Sequence, residues 1–237
     1  GLALLAMLAS QLAIGWSNDY LDRDADAVFQ PSKPVAMGLV DARWMPAAIA
    51  IALIVSLLAG IALGLVPLAF LLIGTAAGLA YNAGVKATRF SFLPFVVALG
   101  VLPPFVWSAL NVYRDELLGL YLVATPLAPA AHLANILPDF ETDRAQGRRT
   151  LAVALGRARA FAILAGCLLL TLALLALSTV WIAYDAATLA VTLVIYLGFS
   201  AMGLAMLARH GRLARAGFRC VVLGSVAFAA GWLAAVT

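Results

Sequence analysis

The chain has 237 residues, 65% of them hydrophobic and only 11% charged, against about 45–50% apolar and about 25% charged in an ordinary soluble domain. That composition excludes a soluble globular enzyme and implies a protein that lives in a bilayer. The net charge of +4 comes from short loops between apolar stretches and makes no case for nucleic acid, and Cys167 and Cys220, within or beside those stretches, read as small packing residues.

In chain order, hydrophobic segments occupy 1–17, 44–65, 68–85, 90–111, 117–138, 160–182, 186–208 and 218–236. Several reach the roughly 20 residues that cross a bilayer as a helix. The expected fold is therefore all-α, a polytopic transmembrane bundle with eight helices in this chain. Gly64-Leu65-Val66-Pro67 splits an apolar run too long for one helix. Pro94, Pro103, Pro104, Pro126 and Pro129 are expected to kink helices, and the tryptophans, including Trp16, Trp44 and Trp181, to sit in interfacial belts. If the helices alternate across the membrane, all but one of the fifteen Lys and Arg residues lie in or beside the loops 18–43, 84–89, 139–159 and 209–217, with Arg114 alone opposite. The positive-inside rule then puts those loops in the cytoplasm of a multi-pass protein of the cell inner membrane.

Two carboxylate clusters stand where segments reach that side. The first is Asn18-Asp19-Tyr20-Leu21-Asp22-Arg23-Asp24-Ala25-Asp26, the second Asn135-Ile136-Leu137-Pro138-Asp139-Phe140-Glu141-Thr142-Asp143, and both contain Asn-x3-Asp-x3-Asp. At about 100° per residue, Asn18, Asp22 and Asp26 fall within about 80° of one helical face, with Asp19 within about 100° of the same origin. Asn135, Asp139 and Asp143 repeat the spacing with His132 in the same arc, while Asp24 and Glu141 point away. Lys33-Pro34-Val35-Ala36-Met37-Gly38 follows the first cluster and Arg149-Thr150-Leu151-Ala152-Val153-Ala154-Leu155-Gly156 the second, each as base, apolar run, glycine.

Each cluster opens a block of four segments, which predicts two pseudo-equivalent four-helix halves around a central cavity. Carboxylates crowded at a membrane boundary repel and are costly to desolvate, so they require a compensating cation. Oxygen-only ligands select Mg²⁺ or another hard divalent ion, which completes its shell with waters and phosphate oxygens. A metal-bridged diphosphate fits this chemistry, with Lys33, Lys86, Arg89, Arg148 and Arg149 on the same face to take the remaining phosphate charge.

With these residues in view, the chain resembles the UbiA superfamily of intramembrane prenyltransferases, 4-hydroxybenzoate polyprenyltransferase-like, whose aspartate-rich motifs are Asn-Asp-x2-Asp-x3-Asp and a later Asp-x3-Asp. Asn18, Asp19, Asp22 and Asp26 match the first, Asp139 and Asp143 the second, and Asp143-Arg144-x2-Gly147-x-Arg149-Thr150-Leu151 is similar to the family's continuation. The family has nine transmembrane helices with its motifs on the second and sixth, whereas here they fall on the first and fifth segments. The resemblance thus implies that 1–237 is a single transmembrane prenyltransferase domain lacking the family's first helix. The family's Tyr-x3-Lys motif corresponds to Tyr81-Asn82-Ala83-Gly84-Val85-Lys86, one residue longer, and Arg89 is the substitute should Lys86 not reach.

The resemblance implies Mg²⁺-dependent transfer of a prenyl group from an isoprenoid diphosphate to an aromatic or other lipophilic acceptor within the membrane, by ionisation of the allylic diphosphate. It implies Asn18, Asp22, Asp26, Asp139 and Asp143 as metal ligands. Lys33, Lys86, Arg89, Arg148 and Arg149 are the implied diphosphate-binding residues, and Asp19, Asp26, Lys86 and Tyr81 the catalytic ones. The default acceptor is an aromatic precursor of a quinone or pigment. His132, the one ionisable residue well inside a segment, is read as a packing or hydrogen-bonding group. The competing reading is a cation-coupled membrane transporter, whose paired carboxylates are expected near the bilayer midplane and not at the helix ends.

Overall fold

The computed structural model describes residues 1–113, 115–209 and 211–236; Arg114, set alone on its side by the topology, lies outside them. Among the described residues the regular structure is helical, apart from one isolated bridge between Tyr184 and Val236. Helices satisfy their own backbone groups, which a segment in hydrocarbon must do. The chain divides into two compact units, Gly1–Lys86 with Val97–Tyr113 and Ala87–Val96 with Arg114–Thr237.

In the first unit, α1 (Leu2–Phe29) turns Ala6, Ala9, Ser10, Ala13 and Ser17 inward. This stripe of small side chains at three- and four-residue spacing lets neighbouring backbones approach. Its partners are α2 (Met45–Leu63) and α3 (Leu65–Asn82). They are joined by Gly64 alone, at φ 109°, a left-handed conformation that glycine adopts without a Cβ penalty. Polar groups tie the helices together. Ser10 Oγ lies 2.7 Å from Thr75 Oγ1, Ser56 donates to the Ala6 carbonyl at 3.0 Å, and Asn82 Nδ2 donates to the Ile14 carbonyl and the Ser17 hydroxyl, each at 2.7 Å. Such bonds between transmembrane helices contribute about 0.6–2 kcal/mol each. Phe105 of α4 (Phe92–Leu110) completes a core with Ala6, Ala59 and Leu71.

In the second unit the segment 117–138 is not one straight helix. α5 (Gly119–Ala124) and α6 (Leu127–Ile136) meet at Pro126, the two helical stretches around this break being bent by 40°. Pro138 has no N–H to continue the ladder, so the chain tightens into a 3₁₀ turn over Leu137–Asp139 before α7 (Phe140–Ala145) restarts. After α8 (Leu151–Leu155) come three long helices, α9 (Arg157–Ser178), α10 (Ala186–Leu207) and α11 (Arg212–Ala235). The Tyr196 hydroxyl donates to the Leu168 carbonyl at 2.9 Å, its ring stacks 4.9 Å from that of Phe228, and Gly203 and Gly217 bring the α10 and α11 backbones together.

Among the described residues six helices are long and apolar enough to span a bilayer, namely α2 with its preceding turn, α3, α4, α9, α10 and α11, or up to seven if the bent pair at 115–145 is one span. Of the two remaining expected segments, 117–138 is this bent pair, and α1 is apolar only in its first half before it carries the carboxylate cluster on to Phe29. The two motifs do not share one local frame: the first rides on an uninterrupted helix of 28 residues, the second on one broken at Pro138. Pro103 and Pro104 lie inside α4 without ending it. Trp107 and Trp232 are buried, the latter donating to the Tyr184 hydroxyl at 2.9 Å. Cys167 and Cys220 are free thiols.

A Cβ added at Gly217 would lie 2.8 Å from both the Gly203 carbonyl oxygen and the Leu207 nitrogen, backbone atoms that cannot give way, whereas Gly166 has nothing within 4 Å. Gly217→Ala is expected to lower stability in detergent by about 1–3 kcal/mol. Gly166→Ala should leave it equal or slightly higher. Indistinguishable melting temperatures for the two variants would refute the close α10–α11 approach.

Candidate active site

Because α1 passes unbroken through the first cluster, Asn18, Asp19, Asp22 and Asp26 are held on a rigid rod, and two lysines reach them. Lys86 Nζ donates to Asp22 Oδ2 and, at 3.0 Å, to Asn18 Oδ1. Lys33 Nζ sits 3.1 Å from Asp19 Oδ1 and 2.8 Å from Asp26 Oδ2. Each ammonium is thus gripped by a pair of oxygens, one turn apart on α1 for Lys86 and about two turns apart for Lys33. Asp26 is buried, while the other members are half-buried. Partial burial pulls the Lys33 ammonium down, but its hydrogen bonds to Asp26 and Asp19 and their negative charges outweigh that and raise its pKa, so it stays protonated. Asp24 and Glu141 are exposed, as the helical phase predicts.

Lys86 reaches the cluster despite the longer Tyr81-to-Lys86 spacing. After α3, Gly84 at φ 141° leads into a 3₁₀ turn over Val85–Ala87 that carries Lys86. Asn82, bonded to Ile14 and Ser17, clamps this end of α3 onto α1 just before the cluster begins. In the sequence Asn82 stands out only as an amide at the end of an otherwise apolar segment. Tyr81 is half-buried at the same helix end.

In the second unit Asp143 is buried, with Arg148 Nη1 at 3.4 Å and the Arg148 N–H bonded to the Asp143 carbonyl at 2.9 Å. Arg215, at the start of α11, lies 3.7 Å from Asp139, a solvent-screened pair of small energetic weight. Arg157 donates to the carbonyls of Leu137, Leu207 and Arg209 at 3.5, 3.2 and 3.1 Å, tying the turn that carries Asp139 to the end of α10. In the sequence Arg157 and Arg215 belong to no motif and stand only among the basic residues of the loops 139–159 and 209–217. Arg149 is exposed and is fixed through its backbone N–H to the Ala87 carbonyl at 3.0 Å. Arg89 lies over the ring of its neighbour Phe90 at 4.9 Å. His132 is fully buried, with Nε2 3.0 Å from Ser91 Oγ and its ring 5.3 Å from that of Phe95, as a packing and hydrogen-bonding group would be.

Among the described residues no group of three or more His, Cys, Asp or Glu side chains gathers to hold a metal ion. The carboxylates of the first motif were expected to need a compensating cation, and each of them, Asp19, Asp22 and Asp26, faces a lysine. The donor chemistry nevertheless fits a hard divalent cation. The donors are all oxygen, and both pairs on α1 already hold a cation in the form of an ammonium group.

Apolar helices that end in a carboxylate-rich face braced by lysines define a membrane-embedded helical protein with a cation-accepting polar end. The chain belongs to the UbiA prenyltransferase family, which it matches over residues 1–219. The digeranylgeranylglyceryl phosphate synthase of Natronomonas pharaonis is 30% identical over 174 residues, 68% of this chain and 60% of that protein. The chain therefore spans about 60% of the length of that relative. A UbiA homolog from Aeropyrum pernix K1, solved in its apo form, shares the fold with a TM-score of 0.75 at 19% identity, over 98% of this chain and 88% of the other. A structure described for the biosynthesis of digeranylgeranylglyceryl phosphate synthase in membranes gives 0.68 at 16% identity, over 97% and 84%.

Asn82 is the polar clamp between α1 and the turn bearing Lys86. Asn82→Leu is expected to cost about 1–2 kcal/mol of stability in detergent, the worth of two interhelical hydrogen bonds. It should also weaken inorganic pyrophosphate binding in the presence of Mg²⁺ by misplacing Lys86. Titration and thermal melting on one preparation check both effects, and unchanged values would show that the clamp is dispensable.

Proposed function

We propose that this protein transfers a prenyl group from an isoprenoid diphosphate to a lipophilic acceptor within the membrane, in a Mg²⁺-dependent reaction. The observation that carries the reading is the family-matched first motif, in which Asn18 with Asp22 and Asp19 with Asp26 each close on a cation. Prenyltransferases of this family are generally metal-dependent. Asn18, Asp22, Asp26, Asp139 and Asp143 are the residues that would hold Mg²⁺, which when bound draws charge from the leaving diphosphate so that the allylic carbon–oxygen bond breaks.

The chain's own residues supply the rest. Lys33, Lys86, Arg148 and Arg149, with Arg89, present positive charge to the phosphate oxygens that gain charge as the bond breaks. Apolar helix surfaces keep water from quenching the prenyl cation. Asp19 or Asp26 orients the acceptor or takes the proton it releases, and Tyr81 lies beside the lysine turn. We infer that both aspartate motifs serve one reaction, in a single transmembrane domain whose eight hydrophobic segments form two related halves. Its basic loops, and with them the motifs, face the cytoplasm from the inner membrane, as the distribution of basic residues supports.

For the acceptor, the names of the Natronomonas relative and of one structural neighbour favour a glyceryl phosphate lipid that gains a geranylgeranyl chain over the aromatic ring expected by default. The test is diphosphate release from geranylgeranyl or farnesyl diphosphate in liposomes, with and without Mg²⁺. The acceptor panel comprises a geranylgeranylated glyceryl phosphate and aromatic acids. Release should need Mg²⁺ and fall by about 10³-fold or more in Asp22→Ala/Asp139→Ala. It should rise with the glyceryl phosphate lipid alone, and folded protein that releases nothing from any donor would refute prenyl transfer.

A further inference from the structure

The first aspartate motif brings its own cations. Asn18 and Asp22, one turn apart, share Lys86 Nζ; Asp19 and Asp26, about two turns apart, share Lys33 Nζ at 3.1 and 2.8 Å. Three carboxylates and two ammonium groups leave the cluster with one net negative charge. The oxygens that grip the lysines on this helix face include those a metal ion would use. An ammonium and a divalent ion cannot share one oxygen pair, because their repulsion at contact distance is strong in water and stronger at a half-buried site.

Building on the prenyl-transfer reading above, we propose that Lys33 and Lys86 are exchangeable counter-ions of the first motif. They fill its oxygen pairs in the metal-free protein, yield them to the entering divalent cation, and turn to the diphosphate that arrives with it.

The consequence is thermodynamic coupling. A cluster already close to neutral attracts Mg²⁺ weakly on its own, since the metal must displace a bound competitor. Diphosphate changes the balance, because its oxygens serve both the metal and the displaced ammonium groups. Each ligand therefore raises the affinity for the other, by the same factor in both directions. The lysines thereby keep the motif from binding stray metal without substrate.

The two lysines are mounted differently. Lys86 stands on a short turn behind the Asn82 clamp. Lys33 stands in the connection between α1 and α2, where local bonds fold the chain on itself: Lys33 N–H to the Gln30 carbonyl at 3.0 Å, Met37 N–H to that of Lys33 at 2.9 Å, and Leu39 N–H to that of Pro34 at 3.0 Å. The Lys33 ammonium straps this folded connection to Asp19 and Asp26. Its departure frees the strap at the moment metal enters, which links metal binding to the mobility of residues 30–41.

The test reads binding and not turnover. Isothermal titration of the whole chain in detergent uses Mg²⁺ alone, inorganic pyrophosphate alone, and Mg²⁺ in saturating pyrophosphate, for the unmodified protein, Lys33→Met and Lys86→Met. Melting temperatures confirm folding, and Lys33→Gln or Lys86→Gln replaces a Met variant that melts early. Each variant is expected to bind Mg²⁺ alone about tenfold more tightly than the unmodified protein. The coupling factor between Mg²⁺ and pyrophosphate should fall by a similar amount. Amide exchange over residues 30–41 should speed up on adding Mg²⁺ to the unmodified protein, and be fast and Mg²⁺-insensitive in Lys33→Met. Variants that bind Mg²⁺ no more tightly than the unmodified protein would overturn the exchange and leave the lysines as fixed structural partners. The prenyl-transfer reading fails separately: a protein that shows the lysine effect yet releases no diphosphate from any prenyl donor keeps the exchange and loses that activity.

Discussion

A carboxylate at the edge of a bilayer must have a cation beside it, and the first unit is organised around that need. Three aspartates ride on the polar half of α1, and the chain returns to them twice, through the connection to α2 with Lys33 and through the end of α3 with Lys86. Without those returns the cluster would carry three like charges in a partly desolvated place, a cost that burial increases. The same arrangement gives the site its chemistry, since oxygen pairs that hold an ammonium also suit a hard metal ion, and the ammonium groups suit phosphate.

For the lysines to arrive, α1 and α3 must lie close, and hydrophobicity cannot bring this about in lipid, where the surroundings are as apolar as the helices. Small side chains and short polar bonds do it instead. Ala6, Ala9, Ala13, Ser10 and Ser17 let α1 approach its neighbours, and Thr75, Ser56 and Asn82 tie the register. Asn82 links the two levels, because it fixes helix packing and, four residues on, sets where Lys86 stands. In the second unit Gly203 and Gly217 play the packing part, while Arg157 gathers three carbonyls at helix ends and steadies the turn that carries Asp139.

The second motif shows how one imino acid alters a repeated pattern. Its Asn-x3-Asp-x3-Asp spacing equals that of the first, yet Pro138 removes an N–H inside it, and Asp139 ends in a 3₁₀ turn while Asp143 lies on a separate short helix. Equal spacing therefore does not give equal geometry. Asp143 is buried against an arginine from its own loop, whereas Asp139 stays accessible with a distant partner on α11.

Much of this was legible beforehand. Apolar runs and the absence of charge within them determine that the chain is helical and membrane-embedded, because hydrocarbon permits few other backbones. The motif residues carry the family resemblance, and the family match over residues 1–219 agrees with it. Helix number was less legible, since α1 changes character halfway and Pro126 bends another segment, and composition averages over both. What only the tertiary structure decided is pairing: that Lys33 takes Asp19 with Asp26, that Lys86 takes Asn18 with Asp22, and that Asn82 holds the helices which make this possible. Those contacts join residues up to 68 positions apart. Separation along the chain carries no information about them, because they arise from packing in three dimensions.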